Sequence, residues 1–181
     1  MVACNTATAA AIETLRAEFP VPFIGMEPAV KPAALGTVSG VIGVLATEGT
    51  LKASKYLNTK GKYENDVVIR ENVGEGFVEL VERGVLTGPE AEAVVEKSLG
   101  PLLDAGADII VLGCTHYPFL IDTIRKIAGP DVRIIDPAPA VALQLVRVLD
   151  ERGIPLENGT LSLELLSSGD PSTLKKLSSK L

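Results

Sequence analysis

Asp108-Ile109-Ile110-Val111-Leu112-Gly113-Cys114-Thr115-His116-Tyr117-Pro118 is the stretch on which the fold turns. Ile109, Ile110, Val111 and Leu112 form an unbroken apolar run, the pattern of a strand covered on both faces, as in a parallel sheet sandwiched by helices. The run stops at Gly113, polar side chains follow, and Pro118 opens a helix, where its missing N–H removes nothing the first turn would use. Strand, thiol-bearing turn and helix make half of a βαβ unit. The turn then belongs to the carboxyl edge of the sheet, where parallel α/β proteins bind ligands.

The same alternation continues outward. Upstream, Ala91, Val94, Val95, Leu99, Leu102 and Leu103 share one stripe of a helix expected over residues 89–105, ended by Gly106 and kinked at Pro101. Before it, the spacing predicts strands over 38–45 and 67–70, a helix starting near Gly49, and an amphipathic stretch over 77–83 whose apolar face is Phe77, Leu80 and Val81. At the beginning stand a helix over 7–19, a short strand over 21–25 and a short helix over 27–35 with Pro28 in its first turn. Downstream come a helix over 118–127, a strand over 132–135 and a helix over 138–152. A strand over 161–166 and a helix capped by Asp170, with Pro171 at its first position, close the chain. Alternating strands and helices predict an α/β fold with parallel sheets and right-handed crossovers.

Composition excludes several classes of function. A chain of 181 residues, 46% hydrophobic, can bury one large core or two small ones. Its net charge of -6 comes without any cluster of Lys and Arg, so no nucleic-acid partner is expected. Apolar runs fall far short of the roughly 20 residues a bilayer requires, and no basic region followed by an apolar stretch opens the sequence. No membrane partner and a cytoplasmic location are therefore expected. In a reducing compartment the two cysteines, Cys4 and Cys114, read as free thiols.

Cys4 repeats the arrangement around Cys114. Cys4-Asn5-Thr6 opens a helix as Cys114-Thr115-His116 does, and the two helices carry matching stretches, Ile12-Glu13-Thr14-Leu15-Arg16 and Ile121-Asp122-Thr123-Ile124-Arg125. Two related α/β units would each present a cysteine at a helix N-terminus, where free N–H groups and the helix dipole favour a thiolate and a bound carboxylate. A ligand with two acidic ends would fit between them. The bland alternative is a pair of small core residues.

Other cysteine chemistries fit poorly. A Cys-x5-Arg phosphatase needs arginine where Ala10 and Leu120 stand. A metal site would have at most Cys4, Cys114 and His116 and no Cys-x-x-Cys pair, so none is expected. A cysteine protease places its histidine on a distant element, whereas His116, the single histidine, is two residues from the thiol.

Ala3-Cys4-Asn5-Thr6-Ala7-Thr8-Ala9 and Leu112-Gly113-Cys114-Thr115-His116-Tyr117-Pro118 together resemble the two signature segments of glutamate racemases. Residues 25–31, 42–50 and 77–82 are similar to further segments of that family, so the resemblance spans almost the whole chain. It implies a racemase that needs no pyridoxal phosphate or other cofactor and interconverts L- and D-glutamate for peptidoglycan synthesis. By that resemblance Cys4 and Cys114 are the opposed acid and base, Cys4 acting on D-glutamate, with His116 beside them. Asn5, Thr6, Thr47, Thr50, Thr115 and His116 would bind the substrate or orient the thiols, and Glu82 would orient His116. Aspartate racemases usually carry Glu after the second Cys-Thr, so His116 disfavours an aspartate or hydantoin substrate.

The resemblance further implies two similar parallel-sheet domains related by a pseudo-two-fold, with the active site in the cleft between them. Residues 27–135 would form the second domain, and residues 1–26 plus 136–181 the first. Only Met1, Val2 and Ala3 precede Cys4 where a strand would stand, so the first domain is expected to be truncated, without the Asp-Ser-Gly and Tyr-Gly pieces of the family. Exposed apolar helix faces would follow, inviting association, a homodimer among its forms. The alternative to an active racemase is a truncated, inactive fragment or binding module. Gly74-Glu75-Gly76 also stands where many members have Cys-Pro.

Overall fold

The computed structural model describes residues 1–154 and 162–178. Four strands, β1 (Val41–Ala46), β2 (Val68–Val73), β3 (Ile109–Gly113) and β4 (Arg133–Ile135), form one sheet in the order β2-β1-β3-β4 with every pairing parallel. The helices are α1 (Asn5–Glu18), α2 (Val30–Gly36), α3 (Glu48–Leu51), α4 (Ser54–Lys60), α5 (Phe77–Arg83), α6 (Pro89–Asp104), α7 (Ile121–Ala128), α8 (Ala138–Glu151) and α9 (Ser172–Ser178). The α/β class expected from the sequence is the one observed.

The central strands are apolar at every position because both faces of the sheet are covered. Leu45, Ile110 and Leu112 pack with Phe77, Leu80, Val95, Leu99 and Leu102 of α5 and α6 on one side. Ile42, Val44, Ile109 and Val111 pack with Val30 and Ala33 of α2 and with Tyr56 of α4 on the other. Neighbours in sequence thus enter opposite cores, and each fully buried Ile, Leu or Val contributes about 1.5–3 kcal/mol. Pro101 lies inside α6 without ending it.

Several boundaries differ from the sequence expectation for identifiable reasons. β1 begins at Val41, not at 38, because the Asp108 carboxylate captures the preceding loop: it accepts from the Thr37 hydroxyl at 2.5 Å and from the amides of Val38 and Ser39 at 2.6 and 3.0 Å. Val38 is left 95% exposed. Burial raises the pKa of this carboxyl, but its hydrogen bonds to Thr37, Ser39 and Val38 outweigh burial and hold it down to about 2. α2 starts at Val30, whose amide bonds the Pro28 carbonyl at 2.8 Å, so Pro28 precedes the helix.

The strand expected over residues 21–25 is absent. Among the described residues its one backbone bond to a neighbouring segment joins the Val2 amide to the Ile24 carbonyl at 2.7 Å, and one bond is not a ladder. Side chains of α1 hold this segment instead. The buried Thr8 hydroxyl accepts from the Met26 amide at 3.0 Å, and Arg16 donates to the Phe23 carbonyl. A Cβ on Gly25 would lie 2.4 Å from Thr8 Cγ2, so glycine is what lets the segment approach α1. The strand expected over 161–166 is likewise absent from residues 162–166, where Leu163 and Leu166 are exposed; Leu161 lies outside the described residues.

α8 is loosely covered: none of its residues is buried, and Leu143 and Val146 are exposed. The cap expected near the end of the chain is present, the Ser172 amide donating to Asp170 Oδ1 at 2.9 Å. Among the described residues no helix is long and apolar enough to cross a membrane.

Candidate active site

β1 and β3 pair in register up to Ala46 opposite Gly113, so the next residues, Thr47 and Cys114, leave the same edge of the sheet side by side. That register is the origin of the site. Thr47 caps α3, its hydroxyl accepting from the Thr50 amide at 3.3 Å. Thr6, in the first turn of α1, completes a triangle of hydroxyls: Thr6 to Thr47 is 2.9 Å, Thr6 to Thr50 3.0 Å, and Thr47 to Thr50 3.0 Å.

This triangle fastens the beginning of α1 to the carboxyl edge and brings Cys4 with it. Cys4 is the N-cap of α1, extended at φ -155 and ψ 125, and its sulfur accepts from the Ala7 amide at 3.4 Å. The next residue, Asn5, is 97% buried, being 3% exposed, and neither atom of its side-chain amide has a hydrogen-bond partner. A buried orphan amide costs about 1–3 kcal/mol, and such a group is what a polar ligand would satisfy.

Cys114 sits differently from Cys4. A 3₁₀ turn, Tyr117–Leu120, follows it, and α7 begins only at Ile121, so Cys114 caps no α-helix. The expectation of two equivalent cysteines at helix N-termini fails for this one. Burial pushes the Cys114 thiol up; the His116 and Tyr117 amides facing the sulfur pull it down, and a negative charge on Cys4 pushes it up again. Burial wins, leaving Cys114 predominantly protonated. Both cysteines are free and partly buried.

His116 Nδ1 is 3.8 Å from the Cys114 sulfur, and its Nε2 is 3.8 Å from Glu82 Oε1 on α5. The expected residues thus assemble as two groups: Cys4, Asn5, Thr6, Thr47 and Thr50 around the hydroxyl triangle, and Cys114, Thr115, His116 and Glu82 beyond β3. Cys114 and Thr115 open into a largely apolar cavity of about 310 Å³, lined also by Met1, Met26 and Phe119. Cys4 is not among its lining residues.

Asp136 lines that cavity and was not singled out from the sequence. Its carboxylate accepts from the Ala138 amide at 2.9 Å, ahead of α8. The signal was an Asp-Pro after a short apolar strand. A larger hollow of about 610 Å³ beside Gly129 and Arg133 shares no residue with either group and lies at the amino end of β4. Among the described residues no three His, Cys, Asp or Glu side chains gather as metal ligands would.

A doubly covered parallel sheet with its polar side chains gathered at the carboxyl edge places the chain in the α/β class whose ligands, where bound, sit at that edge. Comparison with known proteins narrows that class. The sequence profile of the Asp/Glu/Hydantoin racemase family matches residues 1–145. A glutamate racemase of Roseiflexus sp. (strain RS-1) is 47% identical over 180 residues, 98% of this chain and 66% of that protein. One from Methylococcus capsulatus is 48% identical over 171 residues, 94% of this chain and 63% of that protein.

Among solved structures, a glutamate racemase isoform of Bacillus anthracis superposes with a TM-score of 0.81 at 29% identity, covering 98% of this chain and 67% of that one. Escherichia coli glutamate racemase, solved with L-glutamate and the activator UDP-MurNAc-Ala, superposes at 0.74 with 33% identity, covering 82% and 57%. This chain belongs to the Asp/Glu/Hydantoin racemase family. It spans about two thirds of the length of the curated relatives it matches.

Proposed function

We propose that this chain interconverts L- and D-glutamate by a two-thiol acid–base reaction without a cofactor, supplying D-glutamate for peptidoglycan in the cytoplasm. The observation that carries the reading is that two free, partly buried thiols come to the carboxyl edge of the sheet from separate elements: Cys114 follows β3 beside Thr47, and Cys4 precedes Thr6, whose hydroxyl lies 2.9 Å from that of Thr47. The reaction needs one sulfur as a thiol and the other as a thiolate, and burial favours the thiol at Cys114. The thiolate takes the α-proton from one face of the amino acid. The thiol then delivers its own proton to the opposite face, and the sulfurs end with their roles exchanged.

In this reading Cys4 serves D-glutamate and Cys114 L-glutamate. Each hydroxyl in the Thr6, Thr47 and Thr50 triangle has one proton, spent on its neighbours in the free protein. An incoming carboxylate would take those protons in exchange for the bonds within the triangle. The amide of Asn5, without a partner, and Thr115 supply further polar contacts. His116, held between Glu82 and the Cys114 sulfur, orients that thiol. General acid–base catalysis accounts for about 10² to 10⁴ of the rate, and the remainder has to come from these donors and from exclusion of water.

The proposed organisation has residues 27–135 as one domain and 1–26 with 136–181 as the other. A homodimer meeting through the exposed apolar residues of α8 belongs to the same reading. The second reading is a catalytically inactive racemase-like fragment or binding module, and glutamate is the ligand to test for it.

Proton NMR of α-proton exchange from D- and L-glutamate in D2O separates the two. The racemase reading expects exchange at both enantiomers that Cys4→Ser and Cys114→Ser each abolish. A folded sample that shifts on glutamate yet exchanges neither enantiomer would establish the second.

A further inference from the structure

Gly74 follows the last residue of β2 and faces the turn that carries Cys114. A Cβ built on it would lie 2.6 Å from both Cζ and Oη of Tyr117 and 3.0 Å from Cε2. The Tyr117 ring is fully buried and leans edge-on against Phe77, with centroids 4.9 Å apart. Phe77 is likewise fully buried. The Gly74 amide bonds the Ala46 carbonyl at 3.2 Å, continuing the β1–β2 ladder, and its carbonyl accepts from the Phe77 amide at 3.3 Å. The ring therefore sits directly on the backbone at 74, with Phe77 on its other flank.

Tyr117 is also part of the Cys114 turn. Its amide bonds the Cys114 carbonyl at 3.1 Å, so the ring's position fixes the turn's position. We propose that Gly74 is a positioning residue for Cys114: having no side chain, it seats the Tyr117 ring, and the seated ring holds the turn with its amides toward the sulfur. The proposal rests on the reading of Cys114 as one of the two reacting thiols. The seat is steric. Tyr117 Oη reaches the Gly74 carbonyl only at 3.5 Å, the outer limit of a hydrogen bond. The amides of His116 and Tyr117 favour the thiolate, so unseating the ring raises the Cys114 pKa.

The test is the pH dependence of iodoacetamide alkylation, with Cys4 and Cys114 quantified separately by peptide mass spectrometry, on the wild-type chain, Gly74→Ala and Tyr117→Phe. Gly74→Ala is expected to move the Cys114 midpoint upward and to slow its alkylation about threefold at pH 8, the lost thiolate being partly offset by a more nucleophilic sulfur. Cys4 keeps its profile, and Tyr117→Phe, which retains the ring, matches wild type at both cysteines. If Gly74→Ala does not fold, Tyr117→Leu empties the seat from the other side and is expected to move Cys114 in the same direction.

An unchanged Cys114 profile in whichever of these two variants is folded overturns the proposal and leaves Gly74 a packing residue. A Tyr117→Phe shift as large as that of Gly74→Ala, or of Tyr117→Leu where that variant stands in for it, overturns the steric account. Because alkylation needs no turnover, a chain inactive toward glutamate still reports on the seat.

Discussion

The Thr6 hydroxyl lies 2.9 Å from that of Thr47, a residue 41 positions away, and this contact brings the start of α1 to the carboxyl edge of the sheet. Thr47 has two duties there, capping α3 and closing the hydroxyl triangle, whereas Thr6 has only the second. Thr47→Ala is therefore expected to cost about 1 kcal/mol of stability in urea denaturation, the usual loss for a removed Thr cap, and Thr6→Val clearly less. Under the racemase reading both raise KM for glutamate, so a variant that loses binding without losing stability separates the two duties.

Asn5 offers a trade of stability against binding. Its amide is buried without a partner, so Asn5→Leu removes an unsatisfied group and is expected to leave the denaturation midpoint unchanged or raise it. Under the racemase reading, glutamate binding, followed by calorimetry, should weaken at least tenfold, the loss of about one hydrogen bond to a charged group. A stability lowered by more than about 2 kcal/mol would mean that the amide has a partner in solution.

Alkaline pH tests the burial of Cys114. Burial raises its folded pKa above the ordinary thiol value of 9.0, so above that value the folded state binds more protons than the unfolded one and stability falls as pH rises. The contribution is complete below about pH 9.0 and is lost toward the folded pKa. Burial also raises the pKa of Tyr56 and Tyr117, which act from 10.0 upward. Urea midpoints measured between pH 8 and 10 should drop for the wild-type chain and drop less for Cys114→Ser.

α8 should open first. With no buried residue it gains little from packing, whereas β3 is buried at every position. Native-state hydrogen exchange is expected to be on the order of 10² times faster in α8 than in β3 or α6. Protection of α8 that rises with protein concentration would reveal self-association through its exposed face.

Much of the fold was legible because the signals were local. The run from Ile109 to Leu112 carries its own evidence of burial on both faces, and α5 spans Phe77–Arg83 as its apolar face implied. Failures came where a partner decides the outcome. Residues 21–25 have the composition of a strand, but a strand exists only with a neighbour to bond, and Thr8 and Arg16 hold this segment instead. The start of β1 was misplaced because Asp108, some seventy residues on, claims the amides of Val38 and Ser39.

The site divides in the same way. Cys4, Cys114 and their polar neighbours were visible as residue types at strand-to-helix turns, and so was the alternation that sends such turns to one edge of a parallel sheet. Their arrangement was not visible. The register pairing Ala46 with Gly113, the hydroxyl triangle, the 3.8 Å spacing of Cys114 and His116, and the Tyr117 ring against Gly74 all join residues far apart in the chain or depend on the packing around them. Sequence by itself determined the elements and the chemistry available, because periodicity and side-chain type act within a few residues. Tertiary structure alone decided which groups meet and that Cys114 is held as a thiol, because distance and desolvation belong to the packed molecule.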